Sequence, residues 1–303
     1  MRSKSRTRAI WQALLVTILW SSSWILIKFT LADIPPLTFA GLRYGFATLF
    51  LLPGLFKHSQ DIKRLTWKNW WNLILLGIVF YAFTQGGQFL TLKYLETTTF
   101  SLLLNFSAIF IAFFGIVFLH EKPSRLQWAG IGIFLIGVLL YFAPFTNSSG
   151  NITGYILAGF TVLSNALASV LGRQINREQS APPIVVTGIS MGIGAALLLA
   201  AGLLTENFPT LSTTNWAVIL ILASTNTAFA FTLWNKTLQT LTAVESGIIN
   251  NSMLIQIALL SWIFLGDALS ILDWLSLLIA TLGMVIVNLR KNATDTSKNI
   301  PNS

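Results

Sequence analysis

Cysteine is absent from this 303-residue chain, histidine occurs only twice, and charged residues make up only 10%. With no cysteine there is neither a disulfide nor a thiolate metal site. His58 and His120 both sit beside charged loop residues and form no ligand cluster, so no metal or cofactor is expected. A soluble domain carries roughly a quarter charged residues, and this chain has too few to cover a water-facing surface. The GxxxxGK[ST] pattern of an ATP-binding P-loop is also missing, which argues against ATP hydrolysis by the chain itself.

What the chain has instead is apolar length. Hydrophobic residues make up 54% and the mean hydropathy is +0.71. Runs such as ALLVTILWSSSWILI and WAGIGIFLIGVLLYFA suit helices of about 20 residues crossing a hydrocarbon core of about 30 Å. The expected class is an all-α polytopic membrane protein. MRSKSRTR followed by an apolar run resembles a signal peptide, but the run is longer than an h-region and no small-x-small site closes it. It reads as a retained first span.

Pro, Gly, Asn and charge divide the chain into ten apolar segments: 9–31, 36–56, 69–92, 97–119, 125–144, 152–173, 182–204, 214–237, 243–265 and 270–289. Alternate loops hold nearly all the bases: Arg2, Lys4, Arg6 and Arg8; Lys57, Lys63, Arg64 and Lys68; Lys122 and Arg125; Arg173 and Arg177; Lys236; Arg290, Lys291 and Lys298. The other loops hold Lys93 beside Asp33, Glu96, Glu206, Asp267 and Asp273. By the positive-inside rule both termini are cytoplasmic and the span number is even. The net charge of +9 reads as that bias, not as a nucleic-acid surface.

FLHEKPSRLQW (118–128) returns as FLGDALSILDW (264–274). A shift of 146 residues aligns 82–142 with 228–288 without a gap, pairing Asn105 with Asn251, Gly137 with Gly283 and Trp128 with Trp274. Upstream, PPLTFAGLRYG (35–45) matches PPIVVTGISMG (182–192) at one residue more. Each unit holds five spans, an odd number, so the second copy is inverted. Inverted repeats are a signature of secondary transporters. The expected domains are 1–146, the inverted copy 147–292 and a disordered cytoplasmic tail 293–303.

The doubled phrase, each followed by a Gly-containing last helix, resembles the signature of EamA-type domains in the drug/metabolite transporter superfamily. That resemblance implies an exporter or facilitator of small metabolites, often amino acids, with a cavity lined by helices one, three, four, six, eight and nine. Two departures stand out. The mid-helix prolines common in spans four and nine are replaced by Ala108 and, near the equivalent place, Leu254, which puts a kink there in question. His120 stands where glycine is usual.

Polar groups at membrane depth are costly unless paired or facing water, so they mark candidate sites. In span one, Thr17, Trp20, Ser21, Trp24 and Lys28 share a face, with Ser23 nearby; the alternative is close helix packing. Tyr81, Thr84, Gln85 and Gln88 form a stripe in span three that lines a cavity or bonds between helices. Asn105 and Asn251 occupy equivalent positions, and Asn165, Asn226 and Phe229 are weaker candidates. Arg43 lies deep in a span outside the expected cavity, with Ser190 as its counterpart, and reads as a structural or gating charge. Lys28 lies near a span end and snorkels. No Asp or Glu lies mid-span, which favours facilitated diffusion or exchange over proton coupling. Glu121 and Asp267 fall at helix ends on opposite faces, as caps or anchors.

The expected function is a multi-pass, plasma-membrane (bacterial inner-membrane) carrier of a small metabolite, foremost an amino acid, working by alternating access. It would act as a monomer or homodimer, with the lipid bilayer and its substrate as partners and no nucleic acid. A multidrug or sugar/nucleotide-type exporter is the nearest alternative. A membrane-embedded enzyme or scaffold lacks the facing His, Asp, Glu or Cys cluster that chemistry would need.

Overall fold

The computed structural model describes residues 2–30, 34–95, 97–143, 151–266 and 269–289. The expected tail 293–303 and Asp267 lie outside them. Among the described residues, eight helices are long and apolar enough to cross a membrane. In chain order the helical bodies are α1 (Arg2–Thr30), α2 (Pro36–Lys57), α3 (Trp67–Leu92) and α4 (halves Thr97–Asn105 and Ser107–Leu119). Then follow α5 (Arg125–Tyr141), α6 (Ile152–Glu178), α7 (Pro183–Thr205) and α8 (Thr213–Thr237). The last are α9 (halves Ala243–Asn251 and Met253–Leu265) and α10 (Ile271–Asn288). Helix α5 is apolar but shorter.

Local features recur at the 146-residue shift. Helix α4 is interrupted at Phe106 and α9 at Ser252. A π-helical stretch, Gly77–Gln85, sits in α3 and another, Leu222–Phe229, in α8. The turn after α4 holds His120 left-handed at φ 55°, and the turn after α9 holds Gly266 at φ 71°. Ser124 with Gln127 and Ser270 with Asp273 form capping boxes at the starts of α5 and α10. Sequence reading had Asp273 only as a loop acid; it is the reciprocal half of a cap.

Neither interruption needs proline. The Asn105 side chain donates to Ser101 O at 2.7 Å, and the Ser252 hydroxyl donates to Ile249 O at 2.6 Å. Side chains that offer the backbone an alternative partner weaken the helical ladder. Asn251 donates across to Asn105 O at 3.0 Å, tying the two break points together.

The two most extensive helix–helix interfaces join equivalent helices, α2 with α7 and α5 with α10. Small residues let backbones meet there. A Cβ added at Gly283 would lie 2.3 Å from Phe134 N, and one at Gly137 would lie 2.4 Å from Ala280 N. Such close approach is how helices associate where burial from water supplies no drive.

The end of α4 meets the start of α9, so these equivalent helices run in opposite directions. Glu121 accepts from Ala243 N at 2.9 Å, capping α9 from the other half, and from Arg173 Nε at 3.3 Å. Arg173 also donates to Leu238 O. Nearby, Arg6 donates to Glu245 Oε1 at 2.7 Å and to Asn288 O at 2.8 Å, bringing both ends of the helical body to one face. We call this the first face. At the second face, Glu206 accepts from Leu37 N, Thr38 N and Thr38 Oγ1 at 2.8–3.0 Å, an acid on the positive end of α2.

Candidate functional site

A cavity of about 310 Å³ opens between the two halves. Its wall follows the repeat. Gln85, Gln88, Phe89 and Leu92 of α3 line it, as do Phe231, Trp234, Asn235 and Leu238, the residues 146 positions later on and just beyond α8. Leu104 and Asn105 of α4 pair in the same way with Asn250 and Asn251 of α9. The first copy supplies two amides where the second supplies two aromatics, so a polar wall and an aromatic wall occupy equivalent positions.

The π-helical stretches set these faces. Thr84 Oγ1 donates to Val79 O and Thr227 Oγ1 to Leu222 O, each at 2.8 Å and each five residues back. A widened turn re-aims every side chain after it, and such segments are frequent at functional sites. Gly194 of α7 admits the α3 stretch, because an added Cβ would lie 2.7 Å from Gly77 O.

The aromatic wall is a connected cluster. Trp20 lies 4.7 Å from Phe231 and 5.2 Å from Trp234 between ring centroids, and Tyr44 lies 6.0 Å from Phe231. Tyr81 stacks behind it, 5.5 Å from Tyr44 and 5.3 Å from Phe231. Aromatic pairs at these separations add about 0.5–1.5 kcal/mol each beyond area burial. Trp20 is further fixed by its Nε1–H, which donates to Asn226 O at 3.1 Å.

The amides divide into two kinds. Asn235 donates to Thr187 Oγ1 and accepts from Asn176, and Asn251 is held by Asn105 and Ser107, so these brace the wall. Gln85, Gln88, Asn165 and Asn250 line the cavity with no hydrogen-bond partner for their side chains among the described residues. Four uncommitted amides in the cavity wall are donors and acceptors open to a guest.

Arg43 also lines the cavity, although α2 is outside the expected set of lining helices. It is 7% exposed. Its Nε donates to Thr227 Oγ1 at 2.8 Å and its Nη2 to Ser23 Oγ at 3.4 Å. Thr227 can accept because its own proton is engaged in the π-helical stretch. Among the described residues no carboxylate pairs with Arg43, so the structure gives it no gating partner.

Of the sequence candidates, Trp20, Ser23, Gln85, Gln88, Asn105, Asn165, Asn251 and Arg43 line this cavity. Tyr81 is wholly buried one layer behind. Asn226 braces α1, donating to Ser23 Oγ at 2.9 Å and to Leu19 O. Phe229 is 53% exposed and lies outside the lining set. The side chains of Trp24 and Lys28 fall outside the described residues. Thr17 and Ser21, read on the same stripe as Trp20, instead bond Gln256 of α9 at 2.8 and 3.0 Å. Phe231, Trp234, Asn235 and Tyr44 escaped sequence reading, and the signal for the first three was available. Carrying Gln85, Gln88 and Phe89 forward by the repeat lands on them.

Comparison with known proteins agrees with this architecture. The profile described as the EamA-like transporter family matches residues 7–143 and again 152–289. The chain is 27% identical over 241 residues to a probable amino-acid metabolite efflux pump of Salmonella typhimurium, covering 75% of this chain and 76% of that one. It is 23% identical over 285 residues to the uncharacterized inner membrane transporter YedA of Escherichia coli, covering 90% and 88%. A solved crystal structure, 19% identical, superposes with a TM-score of 0.78 over 93% of this chain and 96% of its own, which speaks to the fold alone.

Proposed function

The chain belongs to the EamA-like transporter family, and we propose that it is a secondary carrier moving a small metabolite, foremost an amino acid, by alternating access. All ten helices α1–α10 then span the bacterial inner membrane, and the first face, with both termini, is cytoplasmic. Residues 1–146 and 147–292 are its two inverted halves. Loop charge supports that orientation.

One observation carries the reading: the cavity between the halves is walled by equivalent positions of both. Two similar halves facing opposite ways can exchange conformations and expose one site to each side in turn. The present conformation is unsymmetrical in the way such a cycle requires. At the first face the second half of α4 packs on the first half of α9, and Glu121, Arg173 and Glu245 with Arg6 seal the contact. The equivalent outer halves, Thr97–Asn105 and Met253–Leu265, show no comparable packing among the described residues. We read this as an outward-facing state.

The test is counterflow in proteoliposomes containing the purified full chain, with labelled amino acids, nucleobases, sugars and cationic dyes, with and without a pH gradient. Saturable exchange of at least one compound is expected. No flux of any compound from correctly folded protein would refute the carrier reading, and accumulation driven by the pH gradient would refute gradient-independent exchange.

A further inference from the structure

We infer that the cavity is selective for organic monoanions and zwitterions bearing one carboxylate, and that Arg43 is the group that holds it. The inference rests on the cavity's role as the binding site and goes beyond it to the class of cargo. Among the described lining residues Arg43 is the only charged side chain, and none is Asp or Glu. It is more than nine-tenths buried, and its hydrogen bonds leave Nη1 without a partner among the described residues. A charge at membrane depth is costly unless paired, and no described residue supplies an anion to pair it. The guest is what can.

The rest of the wall narrows the class. A cationic guest would meet Arg43 with like charge in a low-dielectric space and find no acid to offset it. A dianion would leave an unmatched negative charge. A single carboxylate balances Arg43 and fits the planar guanidinium. Trp20, Phe231 and Trp234 offer a face for an apolar or aromatic body. The uncommitted amides Gln85, Gln88, Asn165 and Asn250 offer acceptor oxygens to an ammonium. An amino acid satisfies all three demands, as does an aryl-substituted short-chain acid.

Arg43 is also placed so that occupancy is felt by both halves. It is carried on α2, but Thr227 of the α8 π-helical stretch and Ser23 of α1 orient it. Drawing the guanidinium toward a carboxylate therefore pulls on contacts in both copies.

The test measures binding apart from transport, by thermal protection of the detergent-purified full chain. The probes are matched sets: 3-phenylpropionate, 3-phenylpropionamide and 2-phenylethylamine; 4-methylpentanoate and its amide; L-phenylalanine and L-phenylalaninamide. A charge-assisted hydrogen bond makes each acid about 10- to 100-fold tighter than its amide. In Arg43→Gln that ratio should fall to about one, and Arg43→Lys should keep part of it. Amides or the amine protecting as well as the acids, or no protection by any carboxylate, overturns the inference. If Arg43→Gln fails to fold, the wild-type acid-to-amide ratio still decides. Acid-selective protection without flux would refute the carrier reading alone; flux of neutral or cationic compounds without acid preference would refute this one alone.

Discussion

The seam between α5 and α10 allows a sharp prediction at Gly283. A methyl group added there would stand 2.3 Å from Phe134 N, 2.7 Å from Phe134 Cα and 2.7 Å from Gly130 O. Those atoms are backbone and cannot rotate aside. Ordinary contact begins at 3.4 Å, so the helices must part by roughly 1 Å, a gap that forfeits a quarter to a half of each well along the seam. Overpacking costs about 1–3 kcal/mol, while replacing glycine within a helix returns up to about 1 kcal/mol. With that return subtracted, Gly283→Ala should destabilise by up to about 2 kcal/mol net. Gly132 of α5, with nothing within 4 Å of an added Cβ, is the control. Gly132→Ala should be neutral or slightly stabilising. Gly137→Ala should resemble Gly283→Ala, and the double variant should cost less than the sum, because one separation relieves both clashes. The assay is thermal unfolding of the detergent-solubilised chain followed by tryptophan fluorescence. A Gly283→Ala melt at or above wild type, or strictly additive losses, would refute the account of the seam.

Three further outcomes are expected. His120→Gly should stabilise by about 1 kcal/mol, because His120 holds a left-handed φ of 55° that disfavours a side chain; an unchanged or lower melt would contradict this. Glu121→Gln removes the anion facing Arg173 and weakens the cap on α9, so a single cysteine at Val244, buried in the first turn of α9, should label several-fold faster with maleimide. Equal labelling would show that Glu121 does not hold the first face shut. Gln85→Ala and Trp234→Ala should each weaken counterflow about tenfold without lowering expression; wild-type flux in both would remove the cavity from the transport path.

The helix positions were legible because the apolar segments are long and the loops carry charge. The expected α4, 97–119, holds Thr97–Asn105 and Ser107–Leu119. The break between those halves was not legible, since proline is the signal usually sought there. Here Asn105 and Ser252 divert backbone acceptors, a task these residues also perform in unbroken helices. The π-helical stretches left no trace in hydropathy, which records how apolar a segment is and not how it winds. That winding is also why simple helical spacing does not foresee where Asn226 and Phe229 of α8 point; in the unbroken α1 it is the neighbouring Gln256 of α9 that takes Thr17 and Ser21. Thr17 and Ser21 turned to α9, Asn226 turned back on α1, and Phe229 turned outward. Arg43 was found as a buried charge, but its partners, Thr227 and Ser23, lie 184 and 20 residues away and leave no mark on its own helix.

The pairing of two helices of each half with their own counterparts, α2 on α7 and α5 on α10, has a consequence for how the chain can be cut. A half released from its partner would display two unfilled, small-residue faces, each shaped for a helix it already contains in duplicate form. A second copy of the same half could fill those faces only by inserting upside down, which its loop charges oppose. The full-length chain supplies the matching half already inverted, and the covalent link holds it at high effective concentration. When the chain is split near 144–150 and both pieces are expressed together, each half should therefore co-purify with the other and not with a second copy of itself.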